Sequence, residues 1–177
     1  LGPNETLLIE PGAMSRMSSN LNSSFQRQGG FFSAMFRKMF GGESFFLGKY
    51  EHPDGGKLTF APSIPGHVEH RQLTNNSINL MAGCFLACTP GVNIKAKFGG
   101  FKALFSGEGA FLLEASGSGD LFFNSFGGVV EKQINGEFIV DTGHVVAFDP
   151  SLDYTILGMG NFKSTMLSGE GLVMRFR

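Results

Sequence analysis

The phrase Ser106-Gly107-Glu108-Gly109, followed by Ala-Phe-Leu-Leu, returns as Ser168-Gly169-Glu170-Gly171, followed by Leu-Val-Met-Arg. A weaker copy, Gly41-Gly42-Glu43-Ser44 followed by Phe-Phe-Leu-Gly, stands upstream. The three glutamates are 65 and 62 residues apart. A near-constant period means that one supersecondary unit is used three times. The spacing predicts a single domain over residues 1–177 built from three tandem repeats, approximately 1–65, 66–130 and 131–177.

A second phrase keeps the same period. Gly12-Ala13-Met14, Gly83-Cys84-Phe85 and Gly143-His144-Val145 each follow an extended stretch and open a strand-like run. After the last two comes a proline turn, Thr89-Pro90-Gly91 or Asp149-Pro150-Ser151, leading into alternating residues. Strand, proline turn, strand reads as a hairpin. In the first copy the polar stretch Ser18 to Ser24 takes the place of the proline turn. After each glutamate, strands dominate. Ser116 to Asp120 is predicted as a turn between two strands, and Asn135-Gly136 as the tip of a hairpin joining Val129–Ile134 to Glu137–Asp141. Many short strands with Gly-rich turns predict an all-β chain of β-sandwich-like repeats.

One stretch breaks this pattern. Phe32, Met35, Phe36, Met39 and Phe40 recur at helical spacing, and Gly41-Gly42 would end such a helix. Those five residues are candidate interface positions. Peripheral membrane contact is the sharper reading of the stripe. Arg37 and Lys38 are few basic residues for a lipid-facing helix, so a helix capping the β-core is preferred.

Composition narrows the function classes. The 14 basic and 15 acidic side chains balance, so no electrostatic footprint for nucleic acid or an anionic membrane exists. Charged residues make up only 16% of the chain against 42% hydrophobic. Such an apolar surface is most simply used in homo-oligomerisation. No run of 18 apolar residues is present, so no transmembrane segment is expected. Cys84 and Cys88 stand four apart in an apolar run and read as buried free thiols. They suit a reducing compartment and predict a cytoplasmic location for a bacterial protein.

No constellation of residues supplies catalysis. Glu43, Glu108 and Glu170 could occupy equivalent positions, and three converging carboxylates would suit a hard cation. Repeat symmetry makes the loops equivalent without making them meet, so a tight turn feeding a strand is the preferred reading. His67 and His70 lack the helical spacing of a zinc pair, and His52 and His144 stand alone. Gly107-x-Gly109 and Gly117-x-Gly119 lack the strand–turn–helix context of a nucleotide site. No cofactor is expected.

Glu10-Pro11-Gly12-Ala13-Met14, Phe105 to Gly109, Phe126-Gly127-Gly128, Val140 to His144 with Phe148-Asp149-Pro150, and Ser168 to Leu172 closely resemble the altered-inheritance-of-mitochondria family. The resemblance runs in order over nearly the whole chain. It implies three repeats, each like a subunit of the tryptophan RNA-binding attenuation protein, forming a pseudo-threefold β-prism. It implies neither RNA nor tryptophan binding, because fold is not function. It carries no catalytic residues, and for a eukaryotic member it implies a mitochondrial location. The expectation is a non-enzymatic, oligomeric scaffold or interaction protein. The alternative is a small-ligand or metal-binding module using the Gly-Glu loops or a cavity between repeats.

Overall fold

The computed structural model describes residues 1–27, 46–97, 112–158 and 172–177, and over them the chain is all-β. Its strands are β1 (Thr6–Ile9), β2 (Met14–Met17), β3 (Asn22–Arg27), β4 (Phe46–Glu51), β5 (Leu58–Phe60), β6 (Val68–Met81) and β7 (Phe85–Cys88). They continue with β8 (Val92–Lys97), β9 (Leu112–Asn124), β10 (Phe138–Asp141), β11 (Ala147–Phe148), β12 (Tyr154–Gly158) and β13 (Leu172–Phe176). Single 3-10 turns, Ala82–Cys84 and Thr142–His144, precede β7 and β11. Strand β8 shows why these residues extend: Val92 and Ile94 are buried while Asn93 and Lys95 face out, the period-two alternation of a half-buried strand.

The strands form an eight-stranded sheet (β11–β6–β9–β7–β1–β4–β3, with β8 also on β9), a three-stranded sheet (β10–β13–β12) and a two-stranded sheet (β2–β5), and within them one three-stranded antiparallel pairing pattern occurs as β1–β4–β3, β6–β9–β8 and β10–β13–β12. Their registers coincide. The central row reads Leu8–Lys49–Ser24, then Asn79–Glu114–Lys95, then Ile139–Arg175–Thr155. Each occurrence of the pattern is entered through a like turn. The amide of Leu21 donates to the Ser18 carbonyl at 3.1 Å, that of Val92 to Thr89 at 3.0 Å, and that of Leu152 to Asp149 at 3.1 Å. Ser, Thr and Asp at the first turn position bond neighbouring backbone. The Ser18 hydroxyl accepts from the Lys57 amide and the Thr89 hydroxyl from the Asp120 amide, both at 2.9 Å.

The strands before these turns also match. Strand β2 pairs with β5 (Met14↔Phe60, Arg16↔Thr59, Met17↔Leu58) and β7 with β9 (Phe85↔Phe123, Ala87↔Phe122, Cys88↔Leu121). Both pairings shift register at the same place, Ser15 or Leu86, the mark of a bulge.

Two further pairings of one kind, the two junctions, extend the eight-stranded sheet. Leu8↔Cys88 and Ile9↔Ala87 join β1 to β7, and the Glu10 amide reaches the Leu86 carbonyl at 2.9 Å. Asn79↔Phe148 and Leu80↔Ala147 join β6 to β11, and the Met81 amide reaches Val146 at 3.0 Å. Leu8, Cys88 and Leu80 are fully buried, and Asn79 and Phe148 nearly so. The buried side chains form three clusters. The largest carries Leu80, Leu113, Leu121 and Phe123; a second holds Phe148, Ile156, Met174 and Phe176; a third holds Leu7, Ile9 and Leu86.

Two expected turns are corrected. Ser116 to Asp120 is no turn but the middle of the 13-residue strand β9. Gly117 and Gly119, at φ +122° and +145°, carry the distortion inside the strand. A Cβ on Gly117 would collide with the Gly91 carbonyl, so the missing side chain lets the proline turn close against β9. In the first pattern the counterpart is a true turn, His52 to Gly56, separating β4 from β5. The Asn135-Gly136 hairpin does not form either, because residues 129–137 pair with no strand and β10 pairs with β13 instead. Side-chain contacts hold that stretch: Ile134 packs on the second cluster and the Lys132 ammonium lies 4.9 Å from the Phe138 ring centroid.

Candidate interaction surface

Glu43, Glu108 and Glu170, and the stripe Phe32, Met35, Phe36, Met39 and Phe40, lie outside the described residues. Each Gly-Glu phrase stands between the two arms of a hairpin: Arg27↔Phe46, Lys97↔Leu112 and Gly158↔Leu172 pair across the three intervening segments. Among the described residues no group of three or more His, Cys, Asp and Glu could hold a metal ion. Nor does any described helix have the length and apolarity to cross a membrane.

Burial shifts the titratable groups near the core toward their neutral forms. Cys88 is buried and Cys84 half-buried, and both are free thiols. Desolvation pushes Cys88 up to about 12 and Cys84 up to about 11, the latter helped by the Glu10 charge. A thiol so raised stays protonated, and so weakly nucleophilic, at neutral pH. Cys84 closes the 3-10 turn rather than sharing a strand with Cys88. Glu10, beside the first junction, is raised to about 7 by desolvation. The histidines pair with carboxylates: His67 Nε2 stands 3.0 Å from Glu69 and His70 Nε2 2.8 Å from Asp120, with the His70 ring stacked on Phe122 at 4.8 Å. His52 Nδ1 accepts from the Asp54 amide, and His144 faces Asp141 at 3.3 Å. Every histidine is thus engaged in a local contact.

A cleft of about 530 Å³ opens between β1, β5 and β9. Phe60 and Phe122 meet edge to face on its wall at 5.3 Å, and Glu5 and Asp120 supply acidic groups. His70 stacks on Phe122 and pairs with Asp120, and Glu5 accepts from the Gly2 amide.

An exposed apolar surface lies elsewhere. Gly66 and Gly127 form a parallel bridge. Around it the His67 amide donates to Gly127 at 2.9 Å and the Ser125 amide to His67 at 3.0 Å. A Cβ on Gly66 would run into the Ser125 carbonyl, so only glycine lets the two segments touch. On these segments Ile64, Val68, Phe126, Val129 and Val130 are all exposed, Phe126 at 78% and Val130 at 89%. Arg71 bonds Glu131 at 3.0 Å and so lays residues 126–131 along β6. Apolar groups grouped this way mark contact surfaces. Composition foretold apolar surface, but no periodic pattern placed it, because these residues sit in irregular chain beside turn glycines. One visible signal was Phe126-Gly127-Gly128, an aromatic residue with no alternating partner.

A family model for mitochondrial biogenesis AIM24 matches residues 1–177. The chain belongs to the AIM24 family. A relative described as an uncharacterized protein of Streptococcus pyogenes serotype M6 is 33% identical over 164 residues, covering 91% of this chain. The chain spans 66% of that relative's length. An X-ray crystal structure of a Streptococcus pyogenes protein matches with a TM-score of 0.80 at 29% identity, over 100% of this chain and 81% of the other. The AIM24 family thus places the chain among proteins of uncharacterised role and gives the all-β fold an experimental counterpart.

Proposed function

We propose that this AIM24-family chain is a non-enzymatic interaction protein that works as a homo-oligomer. Its three like three-stranded units are arranged as a pseudo-threefold β-prism, resembling the tryptophan RNA-binding attenuation protein in fold and not in ligand. The observation that carries the proposal is the apolar surface along Ile64–Val68 and Phe126–Val130. The ion pairs beside it, Glu69 with His67 and Arg71 with Glu131, leave little net charge to select a charged partner. Such a surface is self-complementary and fits a second copy of the same chain. The shared sheet register supports the prism, because three units of one register can be related by one repeated rotation.

The cleft walled by Phe60 and Phe122 favours a second reading, a small-ligand module. Native mass spectrometry of protein purified from its source separates the two. Multiples of the 19.1 kDa protomer mass alone support the oligomer. A single protomer carrying a constant non-protein mass supports the ligand module.

A further inference from the structure

Asn135-Gly136, the expected hairpin tip, closes no hairpin, because residues 129–137 pair with no strand. It is the one Asn-Gly dipeptide of the chain. Both residues are exposed, and Gly136 sits at a bend with φ +91°. A Cβ placed on Gly136 would meet nothing within 4 Å, so nothing crowds the residue on that side. Among the described residues neither the Gly136 amide nor the Asn135 side chain has a hydrogen-bond partner. No native bond has to break before these two groups rearrange.

We infer that Asn135 is a site of spontaneous covalent modification, converted to aspartate and isoaspartate through a ring closed by the Gly136 amide. The Gly136 nitrogen attacks Cγ of Asn135 and forms an N–Cγ bond. The Cγ–Nδ2 bond breaks, and Nδ2 takes up the proton lost from the Gly136 amide and leaves as ammonia. The succinimide ring then consumes one water, the sole co-reactant. Splitting the ring at the N–Cγ bond restores the backbone with aspartate at position 135. Splitting it at the bond to the main-chain carbonyl carbon leaves the backbone running through Cγ, an isoaspartyl link. In both cases the nitrogen regains a proton and the freed carbonyl becomes a carboxylate. Nothing is oxidised or reduced. Glycine in second place suits the attack because it has no side chain to obstruct it.

Comparable dipeptides are held back. Asp54-Gly55 could close the same ring by losing water, but the Gly55 amide donates to the His52 carbonyl at 3.1 Å. Gly55 is also packed so closely that a Cβ there would collide with the Leu1 carbonyl. After the buried Asn124, the Ser125 amide donates to the His67 carbonyl at 3.0 Å. Asn22-Ser23 and Asn76-Ser77 lie in paired strands. Among the described residues, Asn135-Gly136 alone joins an exposed asparagine to an unbonded glycine amide.

The position gives the products a consequence. Ile134 packs on the second cluster, Phe138 opens β10, and the Glu137 carboxylate accepts from Arg177 at 3.1 Å. The isoaspartyl form lengthens the backbone between Ile134 and Phe138 by one atom. Either form adds a negative charge close in sequence to Glu137. The modification stands apart from the association of copies and from any ligand in the cleft.

The test uses the unaltered chain, kept folded in mildly alkaline and mildly acidic buffers and unfolded in guanidinium chloride. Samples are resolved by isoelectric focusing and mapped by peptide mass, and isoaspartyl groups are labelled with a carboxyl methyltransferase. The folded chain is expected to accumulate a form more acidic by one charge, at a rate within a few-fold of the unfolded chain's. Accumulation should be faster in the alkaline buffer, because ring closure removes the amide proton. Both the new acid and the methyl label should map to position 135, and Asn135→Gln, at an exposed site, should abolish that form. Modification confined to the unfolded chain, or a new charge that maps to another residue, would overturn the inference. A folded chain whose isoelectric point does not move would overturn it as well.

Discussion

The junction between β6 and β11 and the outer edge of β10 use corresponding residues and end in different states. At the first, Leu80 and Asn79 are sealed against Ala147 and Phe148. At the second, Val140 and Ile139 hold the same places with one neighbouring strand instead of two, and Ile139 is half exposed. The difference teaches that burial here is set by how many strands flank a strand rather than by how apolar it is. Asn79 is 2% exposed and Ile139 52%, although isoleucine is the more hydrophobic.

The comparison can be broken most forcefully by truncation. Leu80→Ala leaves a cavity in the largest cluster and should cost about 2–5 kcal/mol of unfolding free energy in urea titration. Val140→Ala, its counterpart on β10, should cost about 1 kcal/mol or less while only one face is packed. Equal losses would erase the distinction between the two edges.

A smaller effect comes from Glu10, at the first junction, whose counterparts are Met81 and Asp141. Its carboxyl is raised from 4.5 to about 7, so the folded chain binds a proton that the unfolded chain has released between those values. Stability should therefore be highest below pH 4.5 on this account, fall as pH rises toward 7, and level off above it. After allowance for partial exposure, Glu10→Gln should gain on the order of 1–2 kcal/mol above pH 7 and flatten that slope. Thermal melts at pH 5 and pH 8 would show it, and an unchanged slope would remove Glu10 from the account.

The smallest effect tests the likeness of the turns. Ser18→Ala and Thr89→Ala each remove a hydroxyl that accepts a backbone amide at 2.9 Å. Each should cost about 0.5–1.5 kcal/mol. A gap between the two much larger than that range would mean that the turns are not equivalent.

These residues also show what was legible. The turns at Thr89-Pro90 and Asp149-Pro150 were readable because proline, glycine and side-chain hydroxyls fix local backbone, but the hairpins expected across them do not form: β7 and β8 both pair with β9, β11 with β6 and β12 with β13. The all-β class followed from alternation such as Val92-Asn93-Ile94-Lys95. The run through Gly117 and Gly119 was misread because glycine marks a turn and a distorted strand alike, and Gly91 lies 26 residues from Gly117 in sequence. The junctions were invisible, since alternation says which face of a strand is buried but not which strand lies beside it. Interface candidates were assigned to Phe32–Phe40, which lies outside the described residues, while Phe126 was read only within a family phrase and Val130 only within an expected strand.

The central claim is that the apolar surface around the Gly66–Gly127 bridge joins copies of the chain. Sedimentation velocity over a range of concentrations tests it most directly, with the unaltered protein beside Val130→Glu, whose site is 89% exposed and spares the core. The account predicts a species larger than 19.1 kDa for the unaltered chain and a shift toward the protomer for the variant, with no change in melting temperature. An unaltered chain that sediments as a protomer at every concentration, or a variant that assembles just as well, would contradict it.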